Sequence, residues 1–444
     1  MTLFDIPGWI LLVWLFVLGT VIGSFLNVCI YRIPRHESLW DQLRGIGYPP
    51  SRCPRCLTPI LLRDNIPIFG WLLLGGRCRN CRLRISPRYP LIELFNGLLF
   101  ALVYWYEVPF DFAARFTDTP LHTSFGPSTM GMSPVAVLHW RYAYHMILIE
   151  AMLVASFIDF DEMLIPDAST LPAMAMGLIV GTAVPQVHIV PVWFTGPALI
   201  QSYLILLPAS WRSWFGEGVR GLSTGIEVPE WIGAWPHLHG FLVSLTGLLV
   251  GGGIVWGVRI IGSWILRREA MGFGDVILVA MIGSFLGWQA TVYAFFIAPA
   301  FALVVVLVSM LFGMRRVIPY GPYLSLGALA MILGWPHIWP SAERLFQMGV
   351  FVPILGVVMT ALLAACLLMT QGIKWLLGIP LYPDDNEEMP WTSADTLTYL
   401  AFENRDAQQG QWRREDWPGT AAGRGTVFED AWRRGSTGGW RNRP

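Results

Sequence analysis

Charge is what this chain has least of. Asp, Glu, Lys and Arg make up 14% of its 444 residues, against about 25% in an ordinary soluble domain. Lysine is almost missing: Lys374 is the only one. The formal net charge is zero, so the charge balance gives no reason to expect nucleic acid as a partner. No basic residue precedes the first apolar run, Trp9 to Tyr31. A removable signal peptide has a positive start, a shorter apolar core and a small-residue cleavage site. The run therefore reads as a retained anchor. The last sixty or so residues lack helical periodicity among their apolar positions.

What the chain has instead is length of apolar sequence. It is 54% hydrophobic, with a mean hydropathy of +0.52. A bilayer is crossed by roughly 20 apolar residues, and stretches at about 9–31, 90–108, 139–158, 168–185, 238–258, 291–312, 323–340 and 346–370 qualify. A shorter run, 276–289, is a ninth. The expected fold class is an all-α polytopic bundle of about 8–9 transmembrane helices, because a bilayer demands that each spanning backbone satisfy its own hydrogen bonds. Counting nine puts the loops 32–89, 159–167, 259–275 and 313–322 on one side. Arg32, Arg35, Arg259, Arg267, Arg268, Arg315 and Arg316 lie there, which makes that side cytoplasmic and the N-terminus external.

The chain divides into an N-terminal helix (1–31), a cytoplasmic four-cysteine subdomain (32–89), a membrane core (90–378) and a tail (379–444). An insert at 186–237 interrupts the core. Its apolar part, 189–208, contains Pro191 and Pro197, and a span there would turn the later arginine clusters outward. An interfacial or re-entrant segment is expected, with Trp211, Trp214, Trp231 and Trp235 at headgroup level. From about Asp384 the composition turns to Asp, Glu, Arg, Gly and Gln, and a disordered cytoplasmic tail is expected. Its spaced tryptophans are possible docking points for a partner.

Four of the six cysteines form two CxxC pairs, Cys53/Cys56 and Cys78/Cys81, with 21 residues between them. Two such knuckles can present four thiolates in a tetrahedron, the arrangement of structural zinc. In the cytoplasm stable disulfides are rare; unliganded thiols or a redox pair are the alternatives. Cys29 and Cys366 lie in apolar runs and read as packing residues.

Ionisable groups at membrane depth are costly, so each needs a reason. Ile158-Asp159-Phe160-Asp161-Glu162 closes one apolar helix, and Met271-Gly272-Phe273-Gly274-Asp275 opens another. Both sit at expected cytoplasmic helix ends, where folding can bring them together. Two close carboxylates share one proton. The ionised member can then activate water while the other donates to a peptide carbonyl. Gly272 and Gly274 leave room beside Asp275 for a substrate backbone. The competing readings are plain: Asp167 as an N-cap, Asp161 and Glu162 as solvated charges, Asp275 as a cap. His145 and Glu150 are expected to face the bundle interior.

Ordered motifs run along the chain: Gly23-Ser24-Phe25-Leu26-Asn27-Val28, Tyr31-Arg32-Ile33-Pro34, two CxxC pairs around Asp64-Asn65-Ile66-Pro67, Arg88-Tyr89-Pro90-Leu91-Ile92-Glu93, the segment Asp159 to Asp167, Gly272-Phe273-Gly274-Asp275 and Pro319-Tyr320-Gly321-Pro322-Tyr323. Their order gives the chain a resemblance to the type IV prepilin peptidases. It implies an inner-membrane aspartic endopeptidase with Asp159 and Asp275 as the catalytic pair. Its substrates would be prepilins or type II secretion pseudopilins, cut at the cytoplasmic face after a short basic leader. It also implies zinc on the four cysteines and S-adenosylmethionine-dependent N-methylation of the new N-terminus. No Gly-rich loop of a soluble methyltransferase is present. Glu93 is a candidate for methyl transfer as a carboxylate in a family motif; a helix-start charge is the alternative. A peptidase without methyl transfer, an ion-coupled transporter and a zinc-bearing scaffold are the competing functions.

Overall fold

The computed structural model describes residues 8–36, 38–47, 50–53, 56–108, 134–194, 196, 208, 228–266, 271–311, 319–348 and 351–377. Among them the secondary structure is helical, and the β pairings are two isolated bridges, Arg52–Pro59 and Arg77–Arg84. Five helices are long and apolar enough to cross a membrane: α1 (Gly8–Arg32), α5 (Pro134–Glu162), α8 (Pro236–Leu266), α9 (Phe273–Leu311) and α11 (Phe351–Leu376). Between and beside them lie α2 (Leu39–Gly47), α3 (Phe69–Leu73), α4 (Arg88–Glu107), α6 (Asp167–Ala183), α7 (Trp231–Ala234) and α10 (Gly321–Phe346). Each of the nine stretches has most of its length in a helix, but 276–289 and 291–312 share α9, and 346–370 begins at the last residue of α10 and continues in α11. Gly287, at φ 79° and ψ 168°, breaks that helix into two halves. A side chain there would be strained, since φ is positive.

Small residues set the core. Gly247 and Gly251, four apart on α8, face Val279 and Gly283 of α9 so closely that an added Cβ would strike backbone carbonyls. This is the small-residue packing that lets membrane helices approach. Around that contact pack Leu278, Met281, Ile282 and Phe285 of α9 with Ile149 and Met152 of α5 and Leu324 and Met331 of α10. By contrast α11 buries none of its residues. Cys366, expected as a packing residue, is therefore exposed, while Cys29 is buried.

The insert enters the bundle rather than lying wholly on it. Val187, Ile189, Val190 and Phe194 are buried, and the carbonyls of Pro191 and Val192 accept from Gln289 Nε2 and Trp288 Nε1. Residues 188–194 are not helical, consistent with Pro191 among them. The remainder of the 189–208 stretch, apart from 196 and 208, lies outside the described residues, as do Trp211, Trp214, Arg267, Arg268, Arg315, Arg316 and the tail from 378.

Two local expectations are corrected. Asp167 is the first residue of α6, and the N-cap position is held by Pro166, which has no side-chain cap to offer; the Ala168 N–H is taken by Gln42 Oε1 of α2, at 3.1 Å. A side chain from a distant element caps the helix because Pro166 turns the chain into α6 and buries its start. Asp161 is not a free solvated charge, because Arg88 reaches it with both guanidinium nitrogens.

Candidate active site and metal centre

Six helix ends meet at one end of the bundle: the C-termini of α1 and α5 and the N-termini of α4, α6, α9 and α10. The last turn of α5 carries Asp159, and the helix stops at Met163, whose N–H bonds the Asp159 carbonyl at 2.9 Å and whose φ is 54°. The first turn of α9 carries Asp275. Both side chains are buried, Asp159 at 7% exposure and Asp275 at 9%, and Asp275 lies within Coulombic reach of Asp159.

Each carboxylate is held by a backbone donor. Gly321 N–H, opening α10, donates to Asp159 Oδ2 at 3.1 Å. Gly272 N–H donates to the Asp275 carboxylate, the back-reaching half of a capping box. The capping reading of Asp275 and its place beside Asp159 are thus compatible. Gly321 also supplies space: a Cβ there would stand 2.5 Å from Asp159 Oδ2. Gly274 does the same for the loop after α5, since a Cβ there would meet Ile165 Cβ at 2.9 Å. Its missing side chain therefore makes room for Ile165, whereas the only side chain an added Cβ on Gly272 would approach is that of Asp275. Arg259 Nε, from α8, pins the Met271 carbonyl just before this turn at 3.0 Å.

Sequence reading passed over two members of this neighbourhood. One is Gly321, inside a quoted motif but with no polar side chain to draw notice. The other is Arg88, which opens α4, stacks 5.6 Å above the Phe157 ring and forms a bidentate pair with Asp161. Arg88 and Asp161 are 73 positions apart, a separation that no local spacing rule detects.

The four cysteines come together. Their sulfurs all lie within 4.8 Å of one another, with Cys53–Cys81 and Cys56–Cys78 at 3.9 Å. Sulfurs at tetrahedral zinc distances, near 2.3 Å, stand about 3.8 Å apart. The two knuckles are copies of one turn. In each, the residue after the second cysteine has positive φ, Leu57 at 57° and Arg82 at 60°. Its N–H returns to the first cysteine's carbonyl, and that cysteine's N–H reaches two residues beyond the second. Thr58 and Asn80 hydrogen-bond at Cys56 and draw its thiol down to about 6, with Thr58 the larger influence; burial first, then Cys78 and Cys56, push the Cys81 thiol up against the opposing Leu83 and Cys53 hydrogen bonds. The quartet can hold a thiolate-binding metal.

Between the subdomain and α1 lies a cleft of about 1560 Å³, lined by Val21, Ser24 and Phe25 of α1, by Arg52 and Trp71, and by Glu93 of α4. Glu93 is buried. Its Oε2 accepts from Ile68 N–H at 2.6 Å, and Ser24 hydrogen-bonds the same carboxylate. Glu93 is therefore a wall of this cleft and is not part of the Asp159–Asp275 site.

Residues 17–107 match the Bacterial Peptidase A24 N-terminal domain, and residues 146–307 match the Type IV leader peptidase family. A prepilin leader peptidase/N-methyltransferase of Aeromonas salmonicida is 29% identical over 355 residues, 73% of this chain and 92% of that protein. A type 4 prepilin-like proteins leader peptide-processing enzyme of Escherichia coli is 30% identical over 328 residues, 71% of this chain and 90% of that protein. A Klebsiella pneumoniae prepilin leader peptidase/N-methyltransferase is 31% identical over 279 residues, 62% and 86% of the two chains. No solved structure matches.

Proposed function

The chain belongs to the type IV leader peptidase family, a multi-pass inner-membrane protein, and from that premise we propose that Asp159 and Asp275 cut the basic leader from prepilins or pseudopilins. The observation that carries this reading is the meeting of two buried carboxylates, each held by a glycine N–H, at the ends of α5 and α9. Two such groups share a proton. The ionised member takes a proton from the attacking water, and the protonated member donates to the scissile carbonyl oxygen. As the tetrahedral intermediate collapses, the leaving amine takes the proton back. The Gly321 and Gly272 donors fix the carboxylates without occupying the faces they turn to substrate.

The arginine distribution supports an external N-terminus and a cytoplasmic active site. On this topology α4, α6, α10 and the two halves of α9 cross the membrane along with the other long helices, nine crossings in all. The subdomain at 32–89 and the tail at 379–444 then lie in the cytoplasm and the insert at 186–237 on the outer side. Cys53, Cys56, Cys78 and Cys81 would hold zinc, which supplies a fold-determining crosslink and no reaction step.

The same enzyme would methylate the new N-terminus. The support is the cleft beside α1, where Glu93, buried and hydrogen-bonded, shares the lining with Ser24 and Phe25 of α1, Arg52 and Trp71. S-adenosylmethionine would supply an electrophilic methyl group there. Glu93 would hold the acceptor amine and take its proton.

One experiment tests both activities. The protein is co-expressed with a pilin-like substrate and the product mass is read. Asp159→Asn or Asp275→Asn is expected to lower cleavage by roughly 10²–10⁴-fold with normal membrane insertion; normal cleavage in both variants would exclude the pair. Glu93→Gln is expected to leave cleavage intact and remove the 14-dalton methyl increment, about one CH₂ in mass.

A further inference from the structure

The subdomain between α1 and α4 exposes apolar surface that its own fold does not cover. Phe69, Leu72 and Leu73 of α3 are exposed by 63%, 57% and 81%, and Leu62 by 91%. Positions i, i+3 and i+4 share one side of a helix, so the three α3 residues form a single apolar face. The opposite side of α3 is the one that packs. Gly70 lies against the backbone of Asp64, and Trp71 Nε1 donates to the Ile85 carbonyl at 3.1 Å. None of Leu62, Phe69, Leu72 and Leu73 lines the cleft that holds Glu93.

The charge around this face has one sign. Residues 42–92 contain nine arginines and a single acid, Asp64, which Arg79 engages through two nitrogens at 2.6 and 2.7 Å. From 65 to 92 there is no acid at all. Yet Arg77 and Arg84 are partners in an antiparallel bridge, and both are exposed. Residues directly opposite each other carry their side chains on the same side, where like charges repel. An anion between the two guanidinium groups relieves that repulsion, and phosphate suits the guanidinium fork.

We propose that this subdomain lies on the bilayer surface, with Leu62 and the α3 face among the upper acyl chains and Arg77 and Arg84 on an anionic phospholipid headgroup. Both ends of the subdomain are tied to the membrane bundle, by Arg32 ending α1 and Arg88 opening α4, so the surface is within reach without any new association. A nucleic acid or a free phosphate would meet the arginines and leave the leucines in water. A basic peptide would be repelled by them. Only an amphipathic, negatively charged surface answers both halves of the patch. The inference stands apart from the peptidase reading, since it uses none of that site's residues.

The full-length, metal-loaded protein is placed in nanodiscs of phosphatidylcholine alone or mixed with phosphatidylglycerol. Hydrogen exchange is followed in peptides covering 61–85, with α4 peptides and metal content as controls for the fold. Each basic group at an anionic surface is worth roughly fivefold in partitioning. Exchange of 61–74 is therefore expected to be slower in phosphatidylglycerol discs, and Arg77→Gln with Arg84→Gln to return it to the phosphatidylcholine rate. Leu72→Ser with Leu73→Ser is expected to do the same at unchanged metal content. Equal exchange in the two lipids overturns the proposal. So does protection that appears only when a pilin-like substrate is added, which would make the face a protein-docking surface.

Discussion

An alanine at Gly321 would put its Cβ 2.5 Å from Asp159 Oδ2 and 3.3 Å from its Cγ, so either the carboxylate or α10 must yield. A misplacement of that size at a reacting group can cost about 10²-fold in rate. Gly321→Ala is therefore expected to reduce leader cleavage by roughly that factor, measured as product mass against time, with insertion unchanged. At the four-cysteine cluster, the candidate metal site, the decisive residue is Thr58. Its hydroxyl lies 3.4 Å from Cys56 Sγ and helps hold that thiol at about 6. Thr58→Val removes the largest lowering influence, so the Cys56 pKa rises and protons compete with metal at higher pH. The midpoint of metal release on acidification is expected to move upward in the variant. A midpoint unchanged from the parent would show that Thr58 has no hold on the thiolate.

At the scale of elements, the Arg88–Asp161 pair joins the start of α4 to the helix end that carries Asp159. Part-exposed pairs are modest, about 1 kcal/mol, but this one is bidentate and stacked on Phe157, a geometry lysine cannot copy. Arg88→Ala is expected to lower kcat about fivefold with KM nearly unchanged. Arg88→Lys should recover only part of the loss, and a pure KM effect would assign Arg88 to substrate binding instead. Sequence made the helices legible because apolar length in a membrane chain has one structural meaning. It placed Asp159 and Asp275 at helix ends through their position at the margins of those runs, and the cysteine pairs through their spacing. It did not reveal Gly321 or Arg88, whose roles depend on which helix ends converge. Nor did it separate the space used by Ile165 beside Gly274 from space left to a substrate. The break at Gly287 was visible only as a short run, 276–289, beside a second one. Gln42 as the cap of α6 had no local signal at all, because the donor it satisfies lies 126 positions away.

Across the whole molecule the polar groups separate into two candidate sites at one end of the bundle and a buried seam. The Asp159–Asp275 site and the Glu93 cleft both lie near the start of α4, where Arg88 pairs with Asp161. Deeper between these helices Asn96 donates to Glu150 and to the Gly19 carbonyl, and His145 pairs with Glu107. Such pairing is what makes ionisable side chains tolerable at depth, and it ties α1, α4 and α5 into one block. The cysteine subdomain is attached to that block through the Ile68–Glu93 hydrogen bond, which ends a run of backbone reaching back through Asp64 and Arg79 to the second knuckle. A metal on the four cysteines would therefore support Glu93 along this path, which does not include Asp159. Stripping the purified protein with a strong zinc chelator is expected to abolish methylation of a pilin-like product while leaving most leader cleavage in place. Restoring zinc should return the methyl increment without a change in cleavage rate. Equal loss of both activities on chelation would mean that the knuckles hold the α4–α5 block together, and that the two sites share one support.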